Sequence, residues 1–179
     1  LFGMAAPVIT LNTSRGCPFG CRFCSARILW ERRYKALPAE HVVSEAAKIR
    51  SRFNFESIYF REDNFAVRTK RVREFCDLIP RHLPGVTWAV ESRADHLDLP
   101  LLKRMAAAGC RGIFVGIESF SQRMLDAMNK GTTAEQNIRF LENCRKAGIQ
   151  TLATMCYGFP GETEADRMVS EMHLRRLQP

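Results

Sequence analysis

The sequence predicts an α/β fold in which a curved parallel sheet forms a partial (β/α) barrel, with helices outside and a ligand cavity inside. Three observations predict it. Short β-like runs alternate strictly with amphipathic helical patterns along the 179 residues. The strands are aliphatic on one face and small or polar on the other, whereas strands covered by helices on both faces read as continuous apolar runs. Polar residues also collect after each strand, where sites in parallel α/β folds lie.

Five strand–helix units are expected in chain order. The predicted strands are 8–13, 57–61, 86–91, 112–117 and 149–157. The predicted helices are 38–53, 69–79, 99–108, two between the fourth and fifth strands, and one from about residue 163. Pro38 suits a first helical turn, Gly109 stops the third helix, and Gly148 stops the helix before the last strand. Thr132, with Glu135 three residues on, fits a capping box.

Side-chain parity assigns the two faces of the sheet. Trp88 and Val90 share one face of the third strand, whereas Glu91 and Arg93 share the other. In the fourth strand, one face carries Ile113, Val115 and Ile117, and the other face carries Gly112, Phe114, Gly116 and Glu118. The aliphatic face is expected to pack under the helices and the polar face to line the cavity.

Composition and charge limit the classes of function. The chain has 46% hydrophobic and 26% charged residues, and no apolar run long enough for a membrane span. Its net charge of +8 fits either a nucleic-acid surface or solvated helix faces with a few cations for an anionic small molecule, and the second is favoured because no recognition motif is present. The seven cysteines, an odd number, favour a reducing cytoplasm over a disulfide framework.

The strongest local motif is a group of three cysteines, Cys17, Cys21 and Cys24, in eight residues. Pro18 and Gly20 supply the turn that lets the thiols converge. Thiolates are the ligands of iron–sulfur clusters, and three of them leave one iron of a four-iron cluster open. A zinc site or an electron-transfer cluster would need a fourth ligand in reach, and the sequence offers none nearby.

This pattern, in a loop after a first strand, resembles the radical S-adenosylmethionine (SAM) superfamily, whose core is a TIM-like barrel of six strand–helix units. Five further stretches, in order along almost the whole chain, resemble its cobalamin-binding branch. They are residues 12–19 (Asn-Thr-Ser-Arg-Gly-Cys-Pro-Phe), 62–65 (Glu-Asp-Asn-Phe), 91–95 (Glu-Ser-Arg-Ala-Asp), 116–119 (Gly-Ile-Glu-Ser) and 158–163 (Gly-Phe-Pro-Gly-Glu-Thr). The resemblance implies a core domain over residues 1–179 with about five of the six units present.

The resemblance also implies roles for individual residues. Cys17, Cys21 and Cys24 are expected to bind three irons of a [4Fe–4S] cluster, with SAM on the fourth. The expected SAM contacts are Phe23 to the adenine, Glu62 or Asp63 to the methionine ammonium, Glu91 in the motif after the third strand, Arg93 to the methionine carboxylate, Glu118 to the ribose or the ammonium, and Gly158 and Gly161 beside the adenine.

Several alternatives stay open for these side chains. The sequence has no Gly-Gly before its acids at residues 62 and 63, and parity favours Asp63 as the acid that faces the cavity. Glu62 also fits a solvated loop acid. Arg93 and Glu118 also fit an ion pair with each other inside the cavity, and Cys156 fits either a packing residue or a reactive thiol.

The implied reaction is reductive cleavage of SAM to a 5′-deoxyadenosyl radical that abstracts hydrogen from a small-molecule substrate. The implied partner is an external one-electron reductant of the flavodoxin or ferredoxin type. In the cobalamin branch, methyl transfer or cyclisation would follow. The nearest rival within the superfamily is a tRNA methylthiotransferase; a rival of another class is a non-catalytic iron–sulfur or zinc protein that binds nucleic acid.

The two ends of the sequence limit what the chain can contain. It begins at Leu1 without an initiator Met and stops directly after a helical pattern. We therefore expect a domain truncated at both ends, with any cobalamin-binding domain lying before residue 1.

Overall fold

The computed structural model describes residues 2–179 and contains a parallel sheet of five strands. These strands are β1 (Val8–Leu11), β4 (Ser57–Phe60), β5 (Thr87–Arg93), β6 (Cys110–Glu118) and β7 (Gln150–Met155), and their spatial order follows the chain order. A separate antiparallel pair joins β2 (Ser14–Arg15) to β3 (Lys35–Ala36). The alternating α/β fold predicted from the sequence is confirmed as an open, partial barrel sheet.

Helices connect the parallel strands. They are α1 (Ala26–Leu29), α2 (Ala39–Phe53), α3 (Thr69–His82), α4 (Leu99–Ala107), α5 (Gln122–Ala127), α6 (Ala134–Ala147) and α7 (Glu164–Leu177). A 3-10 turn, Phe65–Val67, precedes α3. No helix among the described residues is both long enough and apolar enough to span a bilayer.

The capping of α6 differs from the prediction by one residue. Thr133, not Thr132, is the N-cap, and its hydroxyl accepts from the backbone N–H of Gln136 while the Gln136 side chain accepts from the backbone N–H of Thr133. The predicted capping box, a Thr followed three positions later by Glu or Gln, is therefore present, but it begins at Thr133 rather than at Thr132. The hydroxyl of Thr132 is instead buried without a hydrogen-bond partner among the described residues.

The first strand also ends earlier than predicted. β1 stops at Leu11, and Ser14 pairs with Ala36 in the separate hairpin. Thr13 and Ser14 leave the sheet because both bind the carboxylate of Glu62, which follows β4. The chain is thereby turned toward the cysteine loop.

The two faces of the sheet divide as parity predicts. Trp88, Val90, Ile113, Val115 and Ile117 are buried in one hydrophobic core with α2, α3, α4 and α6. The opposite face carries Glu91, Arg93, Phe114, Gly116 and Glu118. The side chains available for chemistry therefore lie on the inner face of the sheet, near the carboxyl ends of β5 and β6.

Candidate cofactor site

A cavity of about 190 Å³ lies where the cysteine loop meets the ends of β5 and β6. Its lining comprises Cys17, Cys21, Phe23, Cys24, Asp63, Glu91, Ser92, Arg93, Phe114, Gly116, Glu118, Lys130 and Thr154. Eight of the eleven residues predicted for the site are in this list; Glu62, Gly158 and Gly161 are not. One cavity thus combines three thiols, three carboxylates and two cations.

The cysteine loop is held in place by the segment after α5. The backbone N–H of Arg22 donates to the carbonyl of Met128 at 2.8 Å, and the Asn129 side chain donates to the carbonyl of Gly20 at 2.9 Å. Cys21 is buried, whereas Cys17 and Cys24 are half-buried. The three thiols therefore face the cavity from a loop whose shape depends on distant residues.

The three thiols line the same cavity. Among residues 2–179, no three histidine, cysteine or carboxylate side chains lie close enough together to hold one metal ion. Burial raises the pKa of the Cys17 thiol, and the positive charge of Arg93 opposes that rise.

Gly16 lets the loop enter the site beside the hairpin. Its φ is +87°, and a Cβ there would lie 2.0 Å from the carbonyl oxygen of Arg33. Its backbone N–H donates to Asp63 at 2.9 Å. A residue with a side chain cannot take this position without moving the backbone, so Gly16 fixes the approach of the cysteine loop to Asp63.

Glu62 lies outside the cavity and is not a solvated loop acid. It is only 4% exposed, and its carboxylate accepts from the Thr13 backbone N–H at 3.0 Å and from the hydroxyls of Thr13 and Ser14. Arg71 lies 3.8 Å from it as a buried counter-charge. The solvated alternative is therefore wrong, and of the two neighbouring acids only Asp63 faces the thiols.

Glu91 lies on the same wall as Asp63. Its carboxylate accepts from the Tyr59 hydroxyl at 2.8 Å. Burial raises the pKa of Glu91, although the bond from Tyr59 and the charge of Arg61 oppose the rise. Burial, together with the same pairing, raises the pKa of Tyr59.

Arg93 is paired, but with a different acid from the one considered in the sequence. Its Nε and Nη2 donate to the two oxygens of Asp95 at 3.0 and 2.8 Å. The alternative ion pair between Arg93 and Glu118 is wrong. Arg93 pairs with Asp95 because Asp95 is only two residues away along the chain and presents both carboxylate oxygens to the guanidinium.

Glu118 instead pairs with Lys130, a site residue that the sequence did not reveal. The Lys130 ammonium donates to the Glu118 carboxylate at 3.1 Å, and it is only 5% exposed. It also lies 5.8 Å from the centroid of the Phe23 ring. Gly116 makes room for this pair, because a Cβ there would lie 2.5 Å from the Glu118 carboxylate and 2.8 Å from the Lys130 ammonium.

Gly158 and Gly161 lie in the loop after β7 and outside the cavity. Their φ angles are +77° and +85°, and nothing lies within 4 Å of a Cβ added at either position. The Gly158 backbone N–H donates to Glu162 at 2.8 Å. Cys156 is half-buried, and burial raises the pKa of its thiol.

A family model described as the radical SAM superfamily matches residues 11–171 of this chain. The chain belongs to the radical SAM superfamily. A radical SAM domain binds a [4Fe–4S] cluster and SAM. The resemblance seen in the sequence assigns the cluster to the three-cysteine loop that follows the first parallel strand. The family prediction is confirmed.

Curated relatives lie in the methyltransferase and cyclase branch. The chain is 31% identical over 160 residues to an uncharacterized methyltransferase of Pyrococcus horikoshii, which covers 89% of the chain and 35% of that protein. It is 34% identical over 155 residues to the anaerobic magnesium-protoporphyrin IX monomethyl ester cyclase of Rubrivivax gelatinosus, covering 85% of the chain and 28% of the cyclase. A putative methylthiotransferase of Methanocaldococcus jannaschii is 24% identical, so the methylthiotransferase alternative is not favoured.

Solved structures show the same fold. The chain matches the radical SAM methyltransferase TsrM of Kitasatospora setae, solved with cobalamin and a [4Fe–4S] cluster, with a TM-score of 0.82 and 23% identity over 96% of the chain and 35% of TsrM. It matches the cobalamin-dependent SAM radical enzyme OxsB, solved with aqua-cobalamin and SAM, with a TM-score of 0.80 and 23% identity over 93% of the chain and 26% of OxsB. The chain thus spans about a quarter to a third of these proteins.

Proposed function

We propose that this chain is the radical-generating domain of an enzyme that transfers a methyl group to, or closes a ring in, a small-molecule substrate. One observation carries the proposal: the three thiols, the carboxylates and the buried cations line a single cavity at the carboxyl ends of the strands. The relatives named as methyltransferases and a cyclase support this reaction class.

The residues present fit a [4Fe–4S] cluster. Cys17, Cys21 and Cys24 are free thiols that line one cavity, and thiolates are the ligands of iron–sulfur clusters. We propose that these three residues hold the cluster. When bound, the cluster supplies the electron that cleaves SAM to methionine and a 5′-deoxyadenosyl radical.

The walls of the cavity fit the zwitterionic end of SAM. We propose that Asp63 and Glu91, on one wall, receive the methionine ammonium, and that Glu118 binds the ammonium or the ribose hydroxyls. Lys130 is proposed to supply a cation for the methionine carboxylate, since it lies beside Glu118 in the same cavity. Phe23, with its ring near Lys130, is proposed to contact the adenine.

A second cavity of about 400 Å³ adjoins the first and shares Asp63 and Glu91 with it. We propose that the small-molecule substrate enters from this side, because it lies next to the thiols' cavity on the inner face of the sheet. Gly158 and Gly161 lie away from both cavities, so their proposed place beside the adenine requires the loop after β7 to approach when the cofactor binds.

We propose that cobalamin and the reductant are supplied from beyond this domain. Because this chain spans 35% of one methyltransferase relative and 28% of the cyclase, we propose that a separate domain holds cobalamin where the protein uses it. An external reductant of the flavodoxin or ferredoxin type would supply the electron. All seven cysteines are free, which supports a reducing compartment such as the cytoplasm.

Anaerobic reconstitution tests the proposal. Wild-type protein should bind about four irons, show the spectrum of a [4Fe–4S] cluster and release 5′-deoxyadenosine from SAM with a strong reductant. Cys21→Ala should lose the cluster and the product, whereas Cys156→Ala, a half-buried cysteine outside the cavity, should retain both. Equal product from wild type and Cys21→Ala would refute the proposal, and so would a colourless wild-type protein loaded with zinc.

A further inference from the structure

Arg93 is a buried cation, and each of its three guanidinium nitrogens has a partner in this chain. It is 5% exposed, and two of its three nitrogens, Nε and Nη2, are taken by the carboxylate of Asp95. The remaining nitrogen, Nη1, lies 3.6 Å from the sulfur of Cys21. The guanidinium therefore points a charged donor at one of the three thiols of the site.

One face of the guanidinium is covered as well. Its Cζ lies 3.9 Å from the centroid of the Phe19 ring, a stacked cation–π contact. Phe19 belongs to the cysteine loop, and its ring lies 5.3 Å from that of His96. Three of the five N–H donors of Arg93 and one face of its guanidinium thus have partners within this chain.

We infer that Arg93 is a positioning residue for Cys21 and raises the reduction potential of the cluster held there. This inference rests on the proposed role of Cys21 as a cluster ligand. A positive charge beside the cluster stabilises its reduced, more negative state, and a hydrogen bond to a ligand sulfur acts in the same direction. Groups that bind the ligands of a metal centre in this way tune both geometry and potential.

Asp95 has two roles in this arrangement. Its two oxygens fix the orientation of the planar guanidinium, so that Nη1 rather than another nitrogen faces the sulfur. Its negative charge also cancels part of the field of Arg93 at the cluster. Removing Asp95 and removing Arg93 should therefore shift the potential in opposite directions.

Four variants of the anaerobically reconstituted protein test this: Arg93→Gln, Arg93→Lys, Asp95→Asn and Phe19→Leu. The readout is the cluster reduction potential, measured by redox titration monitored by electron paramagnetic resonance, with iron content alongside. Arg93→Gln should shift the potential to more negative values, and Asp95→Asn should shift it to more positive values. Arg93→Lys should lie between wild type and Arg93→Gln, because it keeps the charge but loses the fork.

Phe19→Leu controls for disturbed packing, since it removes the stacked ring and leaves every charge in place. A purely structural role would shift the potential of all the variants in one direction, or in none, and that result would overturn the inference. If Arg93→Gln loses its iron, Asp95→Asn decides: a more positive potential supports the inference, and an unchanged or more negative one refutes it. Failure of the proposed function is distinguishable, because it would appear as equal release of 5′-deoxyadenosine by wild type and Cys21→Ala, or as a zinc-loaded wild type with no cluster to titrate.

Discussion

Replacing Glu62 by glutamine tests whether this acid stabilises the fold or binds the cofactor. The substitution keeps the shape of the side chain and removes its charge. In the wild-type protein, the Glu62 carboxylate accepts three hydrogen bonds from Thr13 and Ser14. It is also the counter-charge of Arg71, whose side chain is 6% exposed. Arg71 Nη1 has no other partner among the described residues. We therefore expect Glu62→Gln to leave a buried cation uncompensated.

The expected loss follows from the geometry. At the 3.8 Å that separates Arg71 from Glu62, two unit charges attract by about 4 kcal/mol at an effective dielectric constant near 20. Breaking a buried pair by removing one partner costs about 3–5 kcal/mol. Since domains are stable by about 5–15 kcal/mol, a loss of this size should lower the denaturation midpoint strongly.

Chemical denaturation followed by circular dichroism measures this free energy. Glu45→Gln is a matched control, because Glu45 is an exposed acid on α2 whose partner Lys48 is also exposed, and it should leave the midpoint unchanged. In the double variant Glu62→Gln/Arg71→Met, part of the loss should be recovered, because the uncompensated cation is gone. An unchanged midpoint in Glu62→Gln, together with weaker SAM binding, would refute the reasoning and assign Glu62 to the cofactor.

Three further outcomes test other parts of the molecule. Gly116→Ala should cost about 1–3 kcal/mol and weaken SAM binding, because its Cβ would lie 2.5 Å from the buried carboxylate above it; unchanged anaerobic affinity contradicts this. Burial raises the pKa of Glu91 in the folded protein. The protonated side chain therefore contributes stability that is fully present below the unfolded pKa of about 4.3. This stability is lost as the pH rises through the folded pKa. Glu91→Gln should therefore stabilise the protein at pH 7 more than at pH 4, and equal denaturation midpoint shifts at the two pH values would count against it. Thr133→Ala should cost about 1 kcal/mol as a lost N-cap, whereas Thr132→Val should cost no stability in the same melt; the reverse order would restore the capping register predicted from the sequence.

The parallel fold and most of the site follow from local patterns in the sequence. The alternation of Trp88 and Val90 with Glu91 and Arg93 records which face of β5 is buried, because neighbouring side chains on a strand point to opposite faces. The cysteine spacing likewise needs only a short loop to bring three thiols together. Both signals are carried by residues close in the chain.

The ion-pair partners of the buried acids depend on tertiary packing, and the sequence did not predict them. Lys130 meets Glu118 only because the chain turns back after α5, and nothing near residue 130 marks it as a site residue. Glu62 becomes a buried acid because Arg71, on α3, reaches across to it. Such pairings depend on the approach of two helices or loops, which a periodic pattern does not encode.

The bonds between the cysteine loop and the segment after α5 have a consequence for how the protein is made. Arg22 and Asn129 join parts of the chain that are more than 100 residues apart, since the Arg22 side chain bonds Ala127 and the Asn129 side chain bonds Gly20, at sequence separations of 105 and 109. During synthesis the thiols leave the ribosome long before the segment that shapes their loop. We expect cluster delivery to succeed only after that segment has emerged, so that ribosome-bound chains whose residues 127–129 are still inside the exit tunnel should acquire little iron, and chains in which these residues have emerged should acquire more.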